Sequence, residues 1–254
     1  MPKNIYEKGE AESEEKERLK TLDYPNFASE ELIGENLRGK VVLDLGAGPN
    51  AELGKFVRER GVEYIAYDIS EAFLKAQRNE GAPAVRGDVR ILPFKDKSVD
   101  IAHMRFVLMH LSSEDRERAI QETTRITKER ELFVEYDWNA VQGNETIQHF
   151  LKLQTALTPK KGINIFMGQT LKEEVERATG TESLKEKRFQ EGPGNYAKEW
   201  AMLGKTTQKV FGNIPDKALV HELGNVTHKL EEEAQKENPD PSVRPDIVAV
   251  EVII

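Results

Sequence analysis

The chain contains no cysteine. That excludes disulfide bridges, thiolate metal sites and a cysteine nucleophile. It has no apolar run long enough to span a bilayer. It also has no long run of lysine or arginine, and its formal net charge is −8 at pH 7. A surface of that sign gives little attraction to polyanions, so neither nucleic acid nor an anionic membrane is an expected partner. Acids do not cluster with histidine at any ligand-like spacing, so no metal is expected. The opening residues, Met1 to Tyr6, lack the apolar centre of a signal peptide, which predicts a cytoplasmic protein. The 254 residues present suffice for one large α/β domain, or a domain with a cap.

The most informative stretch is Val41-Val42-Leu43-Asp44-Leu45-Gly46-Ala47-Gly48-Pro49-Asn50. The aliphatic run suits a strand buried on both faces. It breaks into glycines, and a helical pattern resumes with Leu53, Phe56 and Val57 on one face. Strand, glycine turn and helix is the layout that holds a nucleotide-like ligand at the carboxyl end of a parallel sheet. Gly46 and Gly48 permit a tight turn and close backbone approach. Gly46, Gly48 and Ala51 also fit the dinucleotide fingerprint. Asp44 favours a different ligand, because a carboxylate two residues before the first glycine is unhelpful beside a pyrophosphate. It suits a ligand carrying an amino group and a sulfonium charge.

The stretch Val42 to Gly48 resembles the first motif of the class I S-adenosylmethionine-dependent methyltransferases. Further elements follow in that family's order: Tyr64 to Asp68 as a short strand ending in an acid, Pro83 to Val89 as a third strand ending Gly87-Asp88-Val89, then Leu92-Pro93-Phe94, and Ser98 to Leu108 as the fourth strand and its exit. Asp68 lies roughly twenty residues beyond the glycines, where an acid grips ribose hydroxyls. The resemblance implies S-adenosylmethionine as cofactor, held by Asp44, Gly46, Ala47, Gly48, Asp68 with its neighbour Ile69, Asp88, Val89, Arg105 and Phe106. Asp88 would accept from the adenine amino group, and the Val89 amide would face the ring. The chemistry implied is in-line methyl transfer to a small-molecule acceptor. The dinucleotide-dependent oxidoreductase and a non-catalytic binder that keeps the fold are the alternatives. His110 is the candidate general base, although a histidine there more often packs between helix and loop; His103, mid-strand, reads as a core residue. Arg105-Phe106-Val107 stands where the amino-methylating nucleic-acid enzymes carry an Asn-Pro-Pro-Tyr type of motif.

Residues 1–38 read as an N-terminal helical lid, in which Tyr6, Gly9, Glu12, Arg18 and Leu19 loosely resemble the cofactor-side opening segment of small-molecule methyltransferases. Tyr6 joins the candidate cofactor residues on that ground. Residues 39–254 form the expected catalytic domain. A helix from Ser113 to about Ile126 leads into a fifth strand at Glu131 to Trp138. Helices are expected near 146–157 and 169–178, a strand near 185–190, and two further helices at 195–211 and 216–236. The last two form an insertion, either a cover for the substrate or a homodimer contact. Residues 247–254 give a final β run. The expected fold is a doubly wound, mostly parallel seven-stranded sheet whose last strand is antiparallel.

Overall fold

The aliphatic run at Val41 forms an interior strand of a seven-stranded sheet. The structure is a computed structural model that describes residues 33, 37–50, 52–138, 141, 143–189, 197–236 and 246–254. Most of the lid expected over residues 1–38, Tyr6 included, Ala51 and the start of the helix expected at 195–211 lie outside the described residues. In chain order the elements are β1 (Val41–Leu45), α1 (Glu52–Arg58), β2 (Glu63–Asp68), α2 (Glu71–Asn79), β3 (Ala84–Arg86), β4 (Val99–Arg105), α3 (Ser113–Ile126), β5 (Thr127–Asp137), α4 (Glu145–Leu157), α5 (Met167–Thr179), β6 (Leu184–Phe189), α6 (Ala197–Phe211), α7 (Lys217–Ala234) and β7 (Asp246–Ile253). The sheet order is β3-β2-β1-β4-β5-β7-β6. The pairs β1–β2, β1–β4, β2–β3 and β4–β5 are parallel, and β7 runs antiparallel to β6. The strand order reverses between β1 and β4, so their carboxyl ends form a topological switch point.

The chain divides into two compact units. One holds the sheet with α1, α2, α3 and α5. Its core is built from strands such as β1, where Val42, Leu43 and Leu45 are completely buried, as a strand with neighbours on both sides and cover on both faces requires. The other unit holds α4, α6 and α7, so it draws on residues 138–165 as well as the late segment. Its core joins Phe150, Leu153, Trp200, Leu223, Val226 and Leu230. Phe150 and Trp138 both meet Trp200 edge-on, at centroid separations of 6.2 and 5.5 Å. Among the described residues no helix is long and apolar enough to cross a membrane.

Two strand boundaries differ from expectation, those of β3 and β5. β3 stops at Arg86, because past Gly87 the chain folds back on itself, the Ile91 amide donating to the Asp88 carbonyl at 3.1 Å. β4 stops at Arg105, because Phe106 takes a left-handed backbone with φ 57. β5 begins four residues early, at Thr127, directly on the end of α3 with no linker. The residues Lys128, Glu129 and Arg130 mask this start, since charge normally argues against a central strand. Here each charge has a partner at the amino-terminal edge of the sheet. Lys128 pairs with Asp100 at 2.9 Å, Arg130 with Glu251 at 3.1 Å, and Glu129 with Lys40.

Farther along β5, Glu131 is fully buried. Burial pushes its carboxyl up to about 7, against a weaker opposing effect from the Thr124 hydroxyl. The native pKa lies above the unfolded one, so this acid's contribution to stability is complete below the unfolded value near 4.5 and is lost as pH rises through about 7. Glu131→Gln should therefore flatten the decline between about pH 5 and pH 8 and be more stable than the parent at the alkaline end, by about 1–3 kcal/mol. Urea unfolding at the two pH values checks this. A variant less stable than the parent at the alkaline end would contradict it.

Candidate functional site

The glycine loop is held from three directions. The amides of Gly46 and Ala47 both donate to the Tyr67 carbonyl on β2, at 2.7 and 3.1 Å. Gly46 has φ 72, and a Cβ there would stand 2.2 Å from a Val107 methyl. The Gly48 amide donates to Asp68 Oδ2 at 2.9 Å, while Asp68 Oδ1 accepts from the Ser70 amide at 2.8 Å. From α2, the Gln77 side-chain amide donates to the carbonyls of Gly48 and Asn50 at 3.0 and 2.9 Å. The Gly48 peptide is thus gripped on its N–H side by Asp68 and on its C=O side by Gln77. Gly48 has φ 62, and among the described residues nothing lies within 4 Å of where a Cβ would stand, so these residues leave the loop's outer side open.

Beneath the loop, Asp44 joins three strands. Its Oδ2 accepts from the Tyr64 hydroxyl on β2 at 2.7 Å, and its Oδ1 lies 2.8 Å from His103 Nδ1 on β4. The register makes this possible, because Asp44 stands opposite both Ala66 and His103. Burial alone would push Asp44 up, but His103, Tyr64 and Arg105 outweigh it and hold the carboxyl below its usual range. Asp68 goes the other way. Burial raises it, aided by the charge of Asp44, and the amides of Ser70 and Gly48 only partly compensate. His103 is a core residue, as its mid-strand position suggested.

The next strand end carries Asp88 and Val89. The Asp88 carboxylate accepts from the Arg90 amide at 3.0 Å and from its guanidinium at 2.9 Å, which holds it below the usual range. Arg90 reaches on to Asp115 at 3.1 Å. The stretch that follows is braced on α3: Glu122 accepts the Leu92 amide at 2.8 Å, and Arg125 donates to the carbonyls of Leu92 and Phe94 at 3.0 and 2.9 Å. Tyr67 ties this stretch back to β2, donating to the Asp88 carbonyl at 3.2 Å. Ile69 lies between Asp68 and Ser70, and its carbonyl accepts from Arg86 at 3.0 Å.

At the end of β4, Arg105 and Phe106 lead into a 3-10 turn, Leu108–His110. The Phe106 ring stacks on Tyr136, centroids 3.8 Å apart and planes 4° from parallel. The Arg105 guanidinium stands 5.6 Å from the Phe106 ring centre. A non-glycine residue at positive φ is uncommon and costs free energy, so its neighbours must enforce it. Glu135 on β5 does part of this, accepting the amides of Leu108 and Met109 at 2.7 and 3.3 Å. Asp137 is held by Gln169 at 3.2 Å and Arg188 at 3.0 Å.

Asp44, Gly46, Ala47, Gly48, Asp68, Ile69, Asp88, Val89, Arg105 and Phe106 therefore all lie at the ends of β1 to β4, within one hydrogen-bonded and packed network. His110 closes the turn, its amide donating to the Val107 carbonyl at 3.0 Å. Tyr6 is outside the described residues. Sequence reasoning missed Gln77, Tyr64 and Glu135. Gln77 shares the buried face of α2 with Phe73 and Leu74, and that helical spacing was the available signal.

A family model described as a methyltransferase domain matches residues 43–134, the span from β1 to β5. The chain is 32% identical over 90 residues to a demethylmenaquinone methyltransferase of Corynebacterium efficiens, covering 35% of this chain and 38% of that protein. It is 31% identical over 110 residues to a tRNA (carboxymethyluridine(34)-5-O)-methyltransferase of Arabidopsis thaliana, covering 43% and 26%. The matches thus span well under half of these curated relatives. A crystal structure of a methyltransferase assigned to an antibiotic biosynthesis pathway of Anabaena variabilis superposes with a TM-score of 0.60 at 17% identity, covering 89% of this chain and 97% of that one; at that identity the likeness is one of fold. Residues 43–134 thus match a methyltransferase domain, and the fold is one shared with solved methyltransferase structures.

Proposed function

We propose that the protein transfers the methyl group of S-adenosylmethionine to a small-molecule acceptor. The observation that carries this reading is the Asp68 carboxylate set against the amide of Gly48, with Asp88 and Val89 on the adjoining strand end. The residues present suit that cofactor. The open outer side of Gly48 leaves room for a ligand to lie against the backbone. Asp68 would accept from the ribose hydroxyls, Asp88 from the adenine amino group, and the half-buried Phe106 and Arg105 would line the methionine end. When bound, the cofactor supplies a methyl already attached to a good leaving group. The protein's part is to align the acceptor and exclude water, which is mainly orientation and proximity. A base is needed only if the acceptor atom is protonated, and His110 is the nearest candidate by position in the chain.

The small acceptor follows from charge. A net charge of −8 leaves little to draw a polyanion to the site. The two relatives differ on this point, one being named for a quinone precursor and the other for tRNA. The complete absence of cysteine suits a cytoplasmic protein. Calorimetric titration should give binding of S-adenosylhomocysteine and no heat with NAD. Tight NAD binding with no S-adenosylhomocysteine heat would sink the cofactor assignment and favour an oxidoreductase. Labelled S-adenosylmethionine added to a cell extract should mark a small metabolite, and efficient labelling of tRNA or DNA would overturn the acceptor class.

A further inference from the structure

Glu135 is 1% exposed on a strand buried on both faces. One carboxylate oxygen accepts the Leu108 and Met109 amides, and the other, Oε2, has no hydrogen-bond partner among the described residues. Leaving a buried carboxylate oxygen unmatched is costly, and stability alone would favour a smaller neutral cap. Nor, among the described residues, is Glu135 one half of an ion pair. The charged side chain that acts on it is Arg116 of α3, and that guanidinium is bound to Glu174 of α5 at 2.5 and 2.9 Å and to the Leu111 carbonyl at 2.7 Å.

The acid's position suggests what its retention serves. The turn it holds follows immediately on Phe106, whose left-handed backbone carries its ring onto Tyr136, the residue after Glu135. The residue between Phe106 and the turn, Val107, fills the space that Gly46 leaves by lacking a side chain. A single carboxyl thus sits behind the wall shared by the glycine loop and the end of β4. We propose that Glu135 is a positioning residue: by holding the amides of Leu108 and Met109 it fixes Phe106 and Val107 against the glycine loop and so sets the shape of the cofactor site. This role rests on the cofactor reading above. Burial also pushes its carboxyl up to about 8, in keeping with an acid kept in place at a cost.

The test uses E135A, E135D and E135Q in the full chain, with amide hydrogen exchange in the free protein and S-adenosylhomocysteine calorimetry. In E135A, exchange at Leu108 and Met109 should quicken about tenfold or more while β1 amides stay protected, and affinity should fall by a similar factor. E135D keeps the carboxyl group but withdraws its oxygens by one methylene, and should behave like E135A. E135Q keeps an oxygen that can accept the same two amides, and should restore affinity to within about threefold of the parent. Parent-like protection at both amides in E135D or E135A overturns the proposal. Parent-like affinity despite faster exchange overturns the link to the site. If the parent itself binds no S-adenosylhomocysteine, the cofactor reading falls separately, and the exchange measurement still decides whether Glu135 holds the turn.

Discussion

Asp68→Ala is expected to weaken S-adenosylhomocysteine binding by about 2–4 kcal/mol, roughly thirtyfold to several-hundredfold, while the sheet stays folded. Two losses combine. A ribose diol would lose a charged acceptor, and the Gly48 and Ser70 amides lose the carboxylate that now positions them. Native stability should suffer less than affinity. Burial already raises the Asp68 carboxyl above its usual range, so removing it relieves a desolvation cost as well as deleting hydrogen bonds. Asp68→Asn keeps the volume but must turn an amide donor toward one of two backbone donors, and should bind nearly as weakly. Calorimetry paired with urea unfolding separates the two effects. Parent-like affinity in Asp68→Ala would remove the ribose role.

The second large effect is on folding, and it comes from Gly46→Ala. With φ 72, an alanine there pays about 1–2 kcal/mol for a left-handed backbone. Its Cβ would also stand 2.2 Å from a Val107 methyl, and relieving such overpacking costs about 1–3 kcal/mol more. The expected total is about 2–5 kcal/mol of stability. Gly48→Ala is the internal comparison: φ is 62, but none of the described residues lies within 4 Å, so the backbone penalty of about 1–2 kcal/mol is the cost expected. Urea midpoints for the two variants should differ clearly. Equal destabilisation would mean that Val107 moves aside freely, and that the wall between loop and turn is softer than its packing implies.

Much of the candidate site was legible because its signals are local. A run of aliphatic residues broken by Gly46 and Gly48 needs no distant information to be read as strand and turn. Asp68 and Asp88 each end a short apolar stretch. The parallel sheet and its antiparallel final strand followed from the alternation of elements and from the resemblance they support. What escaped depends on partners far along the chain. Gln77 acquires its meaning from carbonyls 27 and 29 residues earlier, and Glu135 from amides 26 and 27 residues earlier. The early start of β5 was hidden because Lys128 and Arg130 look solvated until Asp100 and Glu251 are placed beside them. The late helices were visible as amphipathic segments. Their union with α4 in one unit is tertiary, and no pattern within any one helix announces it.

The pairing of β6 with β7 has a consequence for how this chain can change. Phe189 stands directly opposite Ile247, so the chain leaves the sheet and returns to it at facing positions. The two strands form a hairpin, and the helices between them in the chain, α6 and α7, belong to the other unit. Closing a connection long enough to hold them costs on the order of 2 kcal/mol more than closing a turn of about four residues, because the cost grows only with the logarithm of length. The sheet therefore constrains the two ends of the connection and hardly at all its length or content. Relatives could lengthen, shorten or exchange that segment wholesale, provided the facing of Phe189 and Ile247 survives.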